Sequence, residues 1–413
     1  MKLADELKVR GFVGQATVDD LDLLWGEEKP TVYHGIDPTA DSAHIGNMVA
    51  WMLLKHLAKA GCKIVFLVGG GTGMIGDPKP DAERVLSTRE EVKVRVEKIK
   101  AQVQNFFAGE EVTFVDNYDW LQDLRLIDFL RDIGKHFTVN ELVKKDAIAR
   151  RLNSEVGLSY TEFAYPLLQG FDYLELYRRH SCTLQVGGSD QWGNIIAGVE
   201  LVRRVEGKMV NALTVPLVID KTTGKKFGKS EGNAVWLDSS KTTPYDFYQF
   251  WLNVPDGEVA DHLKRFTFLE LAEIAKIAEM VETQPEKRAA QKVLAKAVTA
   301  LVHSEEKAVV VEQVADIMFG EVKISALDKA TKDLVLAVAP TTKIVDGTTL
   351  VDGLLATGLA KSKREAREFI VSGAITLNQQ KVTAVEEKLE SVKWGNLFLL
   401  KRGKKHQVLV EIK

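Results

Sequence analysis

The sequence has few cysteines: it contains two, Cys62 and Cys182, each in an apolar context. Two separated cysteines build neither a disulfide framework nor a zinc cluster, which excludes those small stapled folds and suits a reducing compartment. The sequence also lacks an apolar run of the ~18 residues that a membrane span requires, and its start, MKLADELKVRGF, lacks the apolar segment of a signal peptide. We therefore expect a cytoplasmic protein with no membrane contact.

The length and composition indicate a globular protein with more than one core. Apolar residues make up 45% and charged residues 27% of the 413 residues, which are ordinary proportions. A single core rarely serves a chain of this length, so we predict about two or three domains. We find neither an internal repeat nor a low-complexity tract in the sequence.

The charge is distributed unevenly along the chain. Residues 351–413 contain 12 Lys and Arg against 7 Asp and Glu, a balance of +5 in a chain whose net charge is −3. A basic segment attached to an acidic body indicates binding to a polyanion, although a solvated surface explains the charge alone equally well.

The first half of the chain alternates short apolar runs with amphipathic segments. Strands are predicted over residues 31–33, 63–68, 111–115 and 182–186. Helices are predicted from residue 46, over 88–107, around 121–133 and over 189–205. This alternation predicts an α/β fold, a Rossmann-like doubly wound parallel sheet covered by helices. Phosphates and nucleotides bind at the carboxyl ends of such strands, near helix N-termini.

The rest of the chain has a different pattern. From residue 243 to residue 320 apolar positions recur with helical spacing, as in PEKRAAQKVLAKAVTALVHSEEKA. Residues 339–349 are rich in Thr and Gly and are typical of a linker, and the basic segment follows.

Two polar segments lie where a predicted strand gives way to a helix. In GIDPTADSAHIGN, residues 35–47, Asp41 or Ser42 would suffice to cap the helix, but a cap does not explain His44 and Gly46 together. In LQVGGSDQWGN, residues 184–194, two glycines and an acid can hold a ribose, although an N-cap explains them equally well. Both segments are candidate ligand sites.

Two formal nucleotide motifs are excluded by their surroundings. Residues 71–76 match G-x-G-x-x-G, but Pro78 and Pro80 follow at once, and the required acidic residue at the end of the next strand is missing. KTTGKKFGKS, residues 221–230, has Thr223 where a Walker A motif needs glycine. Taken alone, this second segment is a cationic loop, and a solvated surface loop is the simpler interpretation.

HIGN at residues 44–47, taken together with KFGKS at residues 226–230, resembles the paired signatures of class I aminoacyl-tRNA synthetases. YHGIDPTADSAHIGN, GMIGDP, EFAYPLLQGFD and LQVGGSDQWGN are similar to bacterial-type tyrosyl-tRNA synthetases. The resemblance covers essentially the whole chain in order, including a tail similar to the ribosomal S4-type RNA-binding module. It implies a ligase that converts L-tyrosine and ATP to tyrosyl-adenylate and pyrophosphate, and then transfers tyrosine to the 3′ end of tRNA(Tyr).

The resemblance also implies roles for residues around ATP. Because the tyrosine carboxylate is already a nucleophile, catalysis requires positioning and phosphate stabilisation rather than a general base. The implied catalytic residues are Thr39, His44, Asn47, Arg84, Lys226, Lys229 and Ser230. The implied ATP and adenylate residues are Gly35, Asp37, Gly46, Gln185, Gly187, Asp190, Gln191 and Lys229. ATP is expected as a substrate with Mg²⁺ as its counter-ion, and no protein-bound metal or organic cofactor is expected.

The implied tyrosine site combines residues from several segments. Tyr165, Gln169 and Asp172 fall at i, i+4 and i+7, on one face of a helix. By the resemblance, Tyr165 and Gln169 hold the substrate ammonium with Asp77, whereas Asp172 bonds the phenol with Tyr33. Such a pair rejects phenylalanine because its polar groups would stay unpaired, a rule for which tyrosyl-tRNA synthetases are themselves the usual illustration. A helix face whose polar groups pack among themselves is the alternative.

Two features depart from the family pattern. The first signature often ends in a second histidine, where this chain has Asn47, so the individual role of that residue is open. Between Asp77 and Arg84 the chain has KPDAE, where relatives often carry an additional basic residue, so which basic residue takes that place here is open.

The resemblance further implies domains and partners. We predict a catalytic domain with a dimer-forming insertion at 1–220, the KFGKS loop at 221–242, an α-helical tRNA-binding domain at 243–320, a linker at 321–349 and an S4-like domain at 350–413. The implied tRNA contacts are Lys361, Lys363, Arg364, Arg367, Lys401, Arg402, Lys404 and Lys405. The apolar stretch 128–143 would form a homodimer face, although a core helix explains its pattern equally well.

Three other functions remain open from the sequence. Tryptophanyl-tRNA synthetases share the architecture, but a phenol suits Asp172 opposite Tyr33 better, and this tail is not expected there. Small-molecule nucleotidylyltransferases use a similar helix start, but lack the KFGKS loop. A non-enzymatic RNA-binding protein would leave the polar constellation unexplained.

Overall fold

The computed structural model describes residues 1–26, 28–79, 82–219, 224, 227, 229–230, 233–319, 324, 327–339, 341–403 and 406–413. The chain divides into two compact units. The N-terminal unit comprises Met1–Lys241 and Pro255–Thr283, and the C-terminal unit comprises Thr242–Val254 and Gln284–Lys413. None of the helices within these described ranges has the length and apolar character that a membrane crossing requires.

Five parallel strands form the sheet of the N-terminal unit. They are β1 (Thr31–Ile36), β2 (Lys63–Val68), β3 (Val112–Asp116), β4 (Cys182–Gly188) and β5 (Asn211–Val215). Their order across the sheet is β3-β2-β1-β4-β5, so the chain starts in the middle, extends to one edge and then returns to the other. The predicted doubly wound parallel sheet is confirmed.

The helices of the N-terminal unit cover this sheet. They are α1 (Leu3–Val9), α2 (Ile45–Lys59), α3 (Arg89–Phe106), α4 (Tyr118–Leu121), α5 (Leu126–Asp128), α6 (Val139–Leu142), α7 (Asp146–Leu152), α8 (Tyr160–His180), α9 (Trp192–Glu206), α11 (Asp256–Phe266) and α12 (Leu271–Thr283). The continuous helix predicted around 121–133 is wrong: the backbone is extended at Arg125, and Phe129–Ile133 forms a π-helical turn. The segment from α4 to α7 is the insertion between β3 and β4.

The C-terminal unit combines a helical part with a small α+β part. Its helices are α10 (Pro244–Leu252), α13 (Ala289–Val302), α14 (Glu305–Phe319), α15 (Lys329–Val338), α16 (Leu350–Ala356), α17 (Lys363–Val371) and α18 (Ser391–Trp394). Two short strands in the N-terminal unit, β6 (Lys229–Ser230) and β7 (Asn233–Ala234), precede those of the C-terminal unit in the chain. The remaining strands are β8 (Thr341–Ile344), β9 (Thr348–Thr349), β10 (Ile375–Leu377), β11 (Gln380–Lys381), β12 (Lys388–Leu389), β13 (Leu397–Arg402) and β14 (His406–Ile412).

The C-terminal sheet has the order β11-β10-β13-β14-β8. Its edge strand β8 pairs in parallel with β14. The structure thus differs from the linker predicted at 321–349, because that segment contributes α15 and an edge strand. Threonine is β-branched, so the run Thr341–Ile344 fits a strand better than a flexible connection. The predicted helical segment 243–320 is likewise shared between the two units.

Candidate active site

A cavity of about 430 Å³ opens at the carboxyl ends of β1 and β4, where neighbouring strands connect in opposite directions. This crevice is the usual ligand position in a doubly wound sheet. The predicted site residues that line it are Tyr33, Gly35, Asp37, Thr39, His44, Gly46, Asn47, Asp77, Arg84, Tyr165, Gln169, Asp172, Gln185, Gly187, Asp190 and Gln191. The structure therefore brings together residues spread over the first half of the chain.

The HIGN segment forms a capping box at the start of α2. His44 Nδ1 accepts a hydrogen bond from the backbone N–H of Gly46 at 3.0 Å, and Asn47 Oδ1 accepts one from the backbone N–H of His44 at 3.0 Å. Since Nδ1 is an acceptor, the imidazole proton lies on Nε2, where it can donate to an anion. The helix N-terminus adds a favourable field for a phosphate at the same place.

Gly46 and Asn47 acquire a local explanation from this arrangement. A Cβ at position 46 would lie 2.7 Å from His44 Cε1 and 2.9 Å from its Nδ1, so a side chain would displace the imidazole. Asn47 holds the backbone of His44 through Oδ1, and its side chain also lines the cavity. The role that the sequence left open for Asn47 thus includes orientation of its neighbour.

One end of the cavity is buried and carries Tyr33 and Asp172, which are 1% and 3% exposed. Asp172 accepts hydrogen bonds from Asn117 Nδ2 at 2.9 Å and from Trp120 Nε1 at 2.8 Å. Tyr33 Oη has no hydrogen-bond partner among the described residues. A buried hydroxyl of this kind is costly unless something pairs with it, so this end suits a ligand with a hydroxyl group.

The electrostatics of this end follow from burial. Burial raises the pKa of Asp172 to about 8, although the hydrogen bonds from Asn117 and Trp120 favour its charged form. Burial likewise raises the pKa of Tyr33 well above its usual range, so this phenol stays neutral. The pair thus combines a neutral hydroxyl with a carboxyl group that changes charge near neutral pH.

A second carboxylate group lies between β1 and α8. Asp37 accepts hydrogen bonds from Thr72 Oγ1 at 2.7 Å and from Tyr165 Oη at 2.8 Å. Burial raises the pKa of Asp37 to about 6 against these hydrogen bonds. A Cβ at Gly69 would lie 2.2 Å from Asp37 Oδ1, so the glycine after β2 is required for this packing.

Asp77 forms the third acidic group of the cavity. It accepts hydrogen bonds from Gln191 Nε2 at 3.0 Å and from Asn194 Nδ2 at 3.1 Å, and burial raises its pKa. The side-chain oxygen of Gln169 is buried with no partner among the described residues. Several buried acceptors thus converge on one region, an arrangement suited to a ligand ammonium group.

Arg84 supplies a cation to the cavity beside Asp77. Its Nε donates to the backbone oxygen of Asp77 at 2.6 Å, and its side chain lines the cavity. The side chain passes beside Gly76, whose φ of +81° lies in the left-handed region that glycine adopts without strain. Such a guanidinium can pair with a phosphate group.

The KFGKS segment is described only in part. Lys226 lies outside the described residues, and for Lys229 and Ser230 the structure gives the backbone, as strand β6 paired with β7. Phe227 is buried and packs on the rings of His262 and Phe266 of α11, with centroid distances of 4.4 and 6.1 Å. The aromatic residue therefore anchors this segment within the N-terminal unit.

The described residues that are predicted to contact tRNA belong to the C-terminal unit. Lys361, Lys363, Arg364 and Arg367 are exposed on and before α17. Arg402 is partly held within the unit, because its Nη1 donates to Leu359 O at 2.7 Å and its guanidinium lies over the Phe369 ring. Lys401 is in the same strand, β13. Lys404 and Lys405 lie outside the described residues.

Four residues at the cavity or behind its acidic groups escaped the sequence analysis: Thr72, Asn117, Trp120 and Asn194. Asn117 is the first residue after β3, so the rule that ligands gather at strand ends could have identified it. Trp120 stands in the insertion, where no sequence pattern connects it with Asp172. Asn194 ends the segment LQVGGSDQWGN, but the sequence does not indicate that its partner is Asp77.

Two family descriptions match the sequence. "tRNA synthetases class I (W and Y)" matches residues 26–320, and "Tyrosine--tRNA ligase SYY-like C-terminal domain" matches residues 331–410. The parallel sheet and the capped HIGN helix above its crevice are those of a class I tRNA synthetase.

Individual relatives and a solved structure identify the family within this class. The chain is 45% identical over 417 residues to the tyrosine–tRNA ligase of Streptomyces griseus, covering 99% of this chain and 98% of the relative. It is 47% identical over 415 residues to that of Lactococcus lactis subsp. lactis, covering 98% of each chain. A C-terminally truncated mitochondrial tyrosyl-tRNA synthetase of Aspergillus nidulans superposes with a TM-score of 0.69 and 30% identity, covering 77% of this chain and 94% of that chain. The chain belongs to the tyrosine–tRNA ligase family.

Proposed function

We propose that this chain ligates L-tyrosine to tRNA(Tyr), by forming tyrosyl-adenylate from tyrosine and ATP and then transferring tyrosine to the tRNA 3′ end. The observation that carries this proposal is the buried pair of Tyr33 and Asp172 in the same cavity as the capped HIGN helix. The pair suits a phenol, and the helix start suits a phosphate. Tyrosine and ATP are the substrates that such a cavity accommodates together.

The adenylation step requires no proton transfer to create the nucleophile. The tyrosine carboxylate attacks the α-phosphorus of ATP, a new C–O–P linkage forms, and the bond to the pyrophosphate leaving group breaks. Thr39 and His44 Nε2 would donate to the phosphates, and the guanidinium of Arg84 would balance the charge that moves to pyrophosphate. Lys226, Lys229 and Ser230 would close over the same leaving group.

The other ligand groups are assigned as the family resemblance implies, and the cavity lining supports the assignment. Asp77, Tyr165 and Gln169 would hold the tyrosine ammonium. Around the adenosine and the adenylate we place Gly35, Asp37, Gly46, Gln185, Gly187, Asp190 and Gln191. Mg²⁺ would enter as the counter-ion of ATP, and the described residues contain no group of three or more His, Cys, Asp or Glu side chains arranged to hold a metal ion.

The decisive experiment measures ATP–pyrophosphate exchange with each amino acid in turn. Tyrosine is expected to support exchange, and phenylalanine and tryptophan are expected to do so poorly. Tryptophan-dependent exchange would identify a tryptophan enzyme instead. Absence of exchange with every amino acid, with retained RNA binding, would favour a non-enzymatic RNA-binding protein.

The hydroxyl of Tyr33 gives the first prediction. Tyr33→Phe removes one hydrogen bond to the substrate, so tyrosine binding is expected to weaken by about 0.5–1.5 kcal/mol. Because Tyr33 Oη has no partner among the described residues, the free energy of unfolding is expected to stay the same or to rise. Exchange kinetics and chemical denaturation measure the two effects.

Tyr173→Phe is the matched control for this prediction. Its ring packs edge-on against Tyr33 at a centroid distance of 4.9 Å, but its hydroxyl donates to Asn211 O at 2.7 Å. Loss of the Tyr173 hydroxyl is expected to lower the free energy of unfolding by about 1 kcal/mol. The preference for tyrosine over phenylalanine is expected to stay unchanged. If Tyr173→Phe weakened the preference for tyrosine and Tyr33→Phe lowered only the stability, the phenol role of Tyr33 would be contradicted.

The pKa of Asp172 leads to a prediction for pH. At a pKa of about 8 the carboxyl group is mostly protonated at pH 6.5 in the ligand-free chain, whereas the tyrosine phenol donates best to the ionised form. Tyrosine binding is therefore linked to proton release and tightens as the pH rises towards 8. The ratio of the phenylalanine Kd to the tyrosine Kd is expected to rise by up to about tenfold per pH unit below pH 8.

Fluorescence titrations of both amino acids between pH 6 and 9 provide the measurement. Burial also raises the pKa values of Asp37 and Asp77. Neither carboxyl group is assigned to the phenol, so their effects on the two amino acids are expected to be alike and to cancel in the ratio. Tyr33 stays neutral throughout. A ratio that does not change with pH would show that Asp172 keeps one charge state.

A homodimer is the further partner that we propose. Within the predicted face 128–143, Phe129, Ile133 and Leu142 belong to the core, but apolar side chains remain exposed beside them. Leu130 and Val139 of this face are 43% and 62% exposed, and Leu126 and Ile127, which directly precede it, are each 70% exposed. An exposed apolar patch of this kind is typical of an interface, and two copies can bury it symmetrically.

Ile127→Asp tests the dimer. Sedimentation equilibrium is expected to give twice the mass of one chain for the parent protein, and a shift towards one chain for the variant, because a buried charge opposes association. Val94→Asp, on α3 with 58% exposure, introduces the same charge at another exposed apolar site and is expected to leave the mass unchanged. A monomeric parent protein would contradict the proposal.

The C-terminal unit would bind tRNA through lysines and arginines of its α+β part. The tRNA contacts that we propose are Lys361, Lys363, Arg364, Arg367, Lys401, Arg402, Lys404 and Lys405. We also propose the domain bounds predicted from the sequence, except that the segment 321–349 contributes α15 and β8 and is not a plain linker. We further propose a cytoplasmic location.

A further inference from the structure

A buried ion pair joins the insertion to the helix that carries the tyrosine-site residues. Arg151 of α7 and Glu162 of α8 are 0% and 2% exposed, with Nη2 and Oε2 3.0 Å apart. A second hydrogen bond joins Nη1 and Oε1 at 3.2 Å. Because desolvation offsets most of the attraction in such a pair, stability alone is a weak reason for its presence.

The guanidinium of Arg151 holds two separate backbone segments. Nη1 donates to Lys79 O at 3.0 Å and to Ala82 O at 2.6 Å. Nη2 donates to Gly157 O at 2.5 Å, ahead of α8. The planar fork of arginine can reach all of these acceptors at once, which a lysine ammonium cannot do in the same geometry.

Glu162 completes the attachment of this loop. Its Oε1 accepts a hydrogen bond from the backbone N–H of Arg84 at 3.2 Å, and its Oε2 accepts one from Ser159 Oγ at 3.3 Å. The Arg84 side chain in turn donates to Asp77 O at 2.6 Å and lines the cavity. The ion pair therefore fixes the backbone on which Arg84 stands, but does not line the cavity itself.

We infer that Arg151 and Glu162 are positioning residues for adenylate formation, and that they act by holding the Arg84 guanidinium on the phosphate side of the cavity. The inference rests on the proposed function, because it takes Arg84 to contact the phosphates of ATP. Tyr33 stands on β1. Asp172 shares α8 with Glu162, but its carboxyl group is held by Asn117 and Trp120 and not by the loop that the ion pair holds. The ion pair is therefore expected to act through Arg84 and to leave the phenol contacts of tyrosine in place.

Arg151→Lys is the primary test. It keeps the buried positive charge beside Glu162 but removes the fork that holds Lys79 O and Ala82 O. Because a small misplacement of a reacting or stabilising group is costly, kcat/KM for ATP in pyrophosphate exchange is expected to fall by about 10- to 100-fold. The equilibrium Kd for tyrosine, measured by fluorescence without ATP, is expected to change by less than about twofold, since its contacts persist.

Arg203→Lys is the matched control. Arg203 forms an ion pair with Glu200 on α9, with Nη2 and Oε2 2.7 Å apart, but both side chains are more than 40% exposed. An exposed pair contributes little, so this variant is expected to retain the parent kinetics. A merely structural role of Arg151 would instead weaken tyrosine binding and ATP use together, with a lower melting temperature.

A double-mutant cycle with Arg84→Met tests the route of the effect. If Arg151 acts through Arg84, its substitution is expected to cost less than about a further twofold once Arg84 is gone, since interacting residues are not additive. If Arg151→Lys does not fold, Arg151→Met combined with Glu162→Gln takes its place. That pair leaves no unpaired buried charge, and the same pattern is expected of it.

Three results overturn the inference. The first is that Arg151→Lys and Arg203→Lys have equal ATP kinetics, and the second is that Arg151→Lys weakens tyrosine binding as much as ATP use. The third is that the loss of kcat/KM in the double variant equals the product of the losses caused by Arg151→Lys and Arg84→Met. The two proposals fail differently. Absence of tyrosine-dependent exchange in the parent protein overturns the proposed function and the inference with it. Normal exchange in the parent, with variants that match the control, overturns the inference alone.

Discussion

Asp172→Ala is expected to reduce kcat/KM for tyrosine by at least ~100-fold, equivalent to about 3 kcal/mol or more. The substitution removes the acceptor for the substrate phenol and leaves the buried donors of Asn117 and Trp120 without their acceptor. Phenylalanine loses much less, because it has no donor for the carboxyl group. The preference for tyrosine in pyrophosphate exchange is therefore expected to collapse.

Asp116→Ala controls for the loss of a partly buried aspartate in the same region. Asp116 Oδ1 accepts hydrogen bonds from the backbone N–H groups of Gly70 and Tyr118, both at 2.9 Å, at the end of β3. Its substitution is expected to lower the melting temperature while the ratio of tyrosine to phenylalanine activity stays the same. An unchanged ratio in Asp172→Ala would show that specificity resides elsewhere.

Removal of the chain after residue 319 is expected to separate the two half-reactions. The assigned ATP and tyrosine residues precede residue 231, so adenylate formation is expected to persist within about twofold, since no group in contact with the transition state is lost. Charging of tRNA is expected to fall below detection, because the basic residues of α17 and β13 that we assign to tRNA are absent. The truncated relative from A. nidulans, which covers 77% of this chain, supports the folding of such a fragment.

Salt dependence provides an independent readout of the same prediction. A protein that makes about 6–10 phosphate contacts loses roughly 10³–10⁵ in affinity between 50 and 200 mM salt. The tRNA affinity of the full chain is expected to show such a slope, whereas adenylate formation is expected to respond much less. Arg367→Ala should weaken tRNA binding without altering exchange. Charging by the truncated chain at the full rate would disprove this division of labour.

The sheet was predictable because its strands carry strong local signals. Continuous apolar runs such as Lys63–Val68 identify buried parallel strands without any knowledge of their neighbours. His44 and Gly46 were also identifiable, since an ordinary cap explains neither. The close contact between Gly46 and the His44 ring was not predictable, because it depends on the three-dimensional position of the ring.

The residues that the sequence did not reveal act across large separations. Asn117 and Trp120 reach Asp172 from 55 and 52 positions away, and no periodicity connects them. Arg151 and Glu162 carry the charges of an ordinary surface pair until burial is known. Strand β8 was missed for a different reason, because threonine in a short run fits both a linker and an edge strand.

The sheet order also determines when a nascent chain can acquire the cavity. Strands β1 and β2 are close in sequence and can pair early, but Thr31 of β1 lies beside Cys182 of β4, which is synthesised much later. Non-local pairing of this kind is slow because a long loop must close first. A ribosome-bound fragment that ends before β4 therefore holds the HIGN helix without the opposite wall of the crevice. The first adenylate can form only after the synthesis of β4 and the closure of that loop.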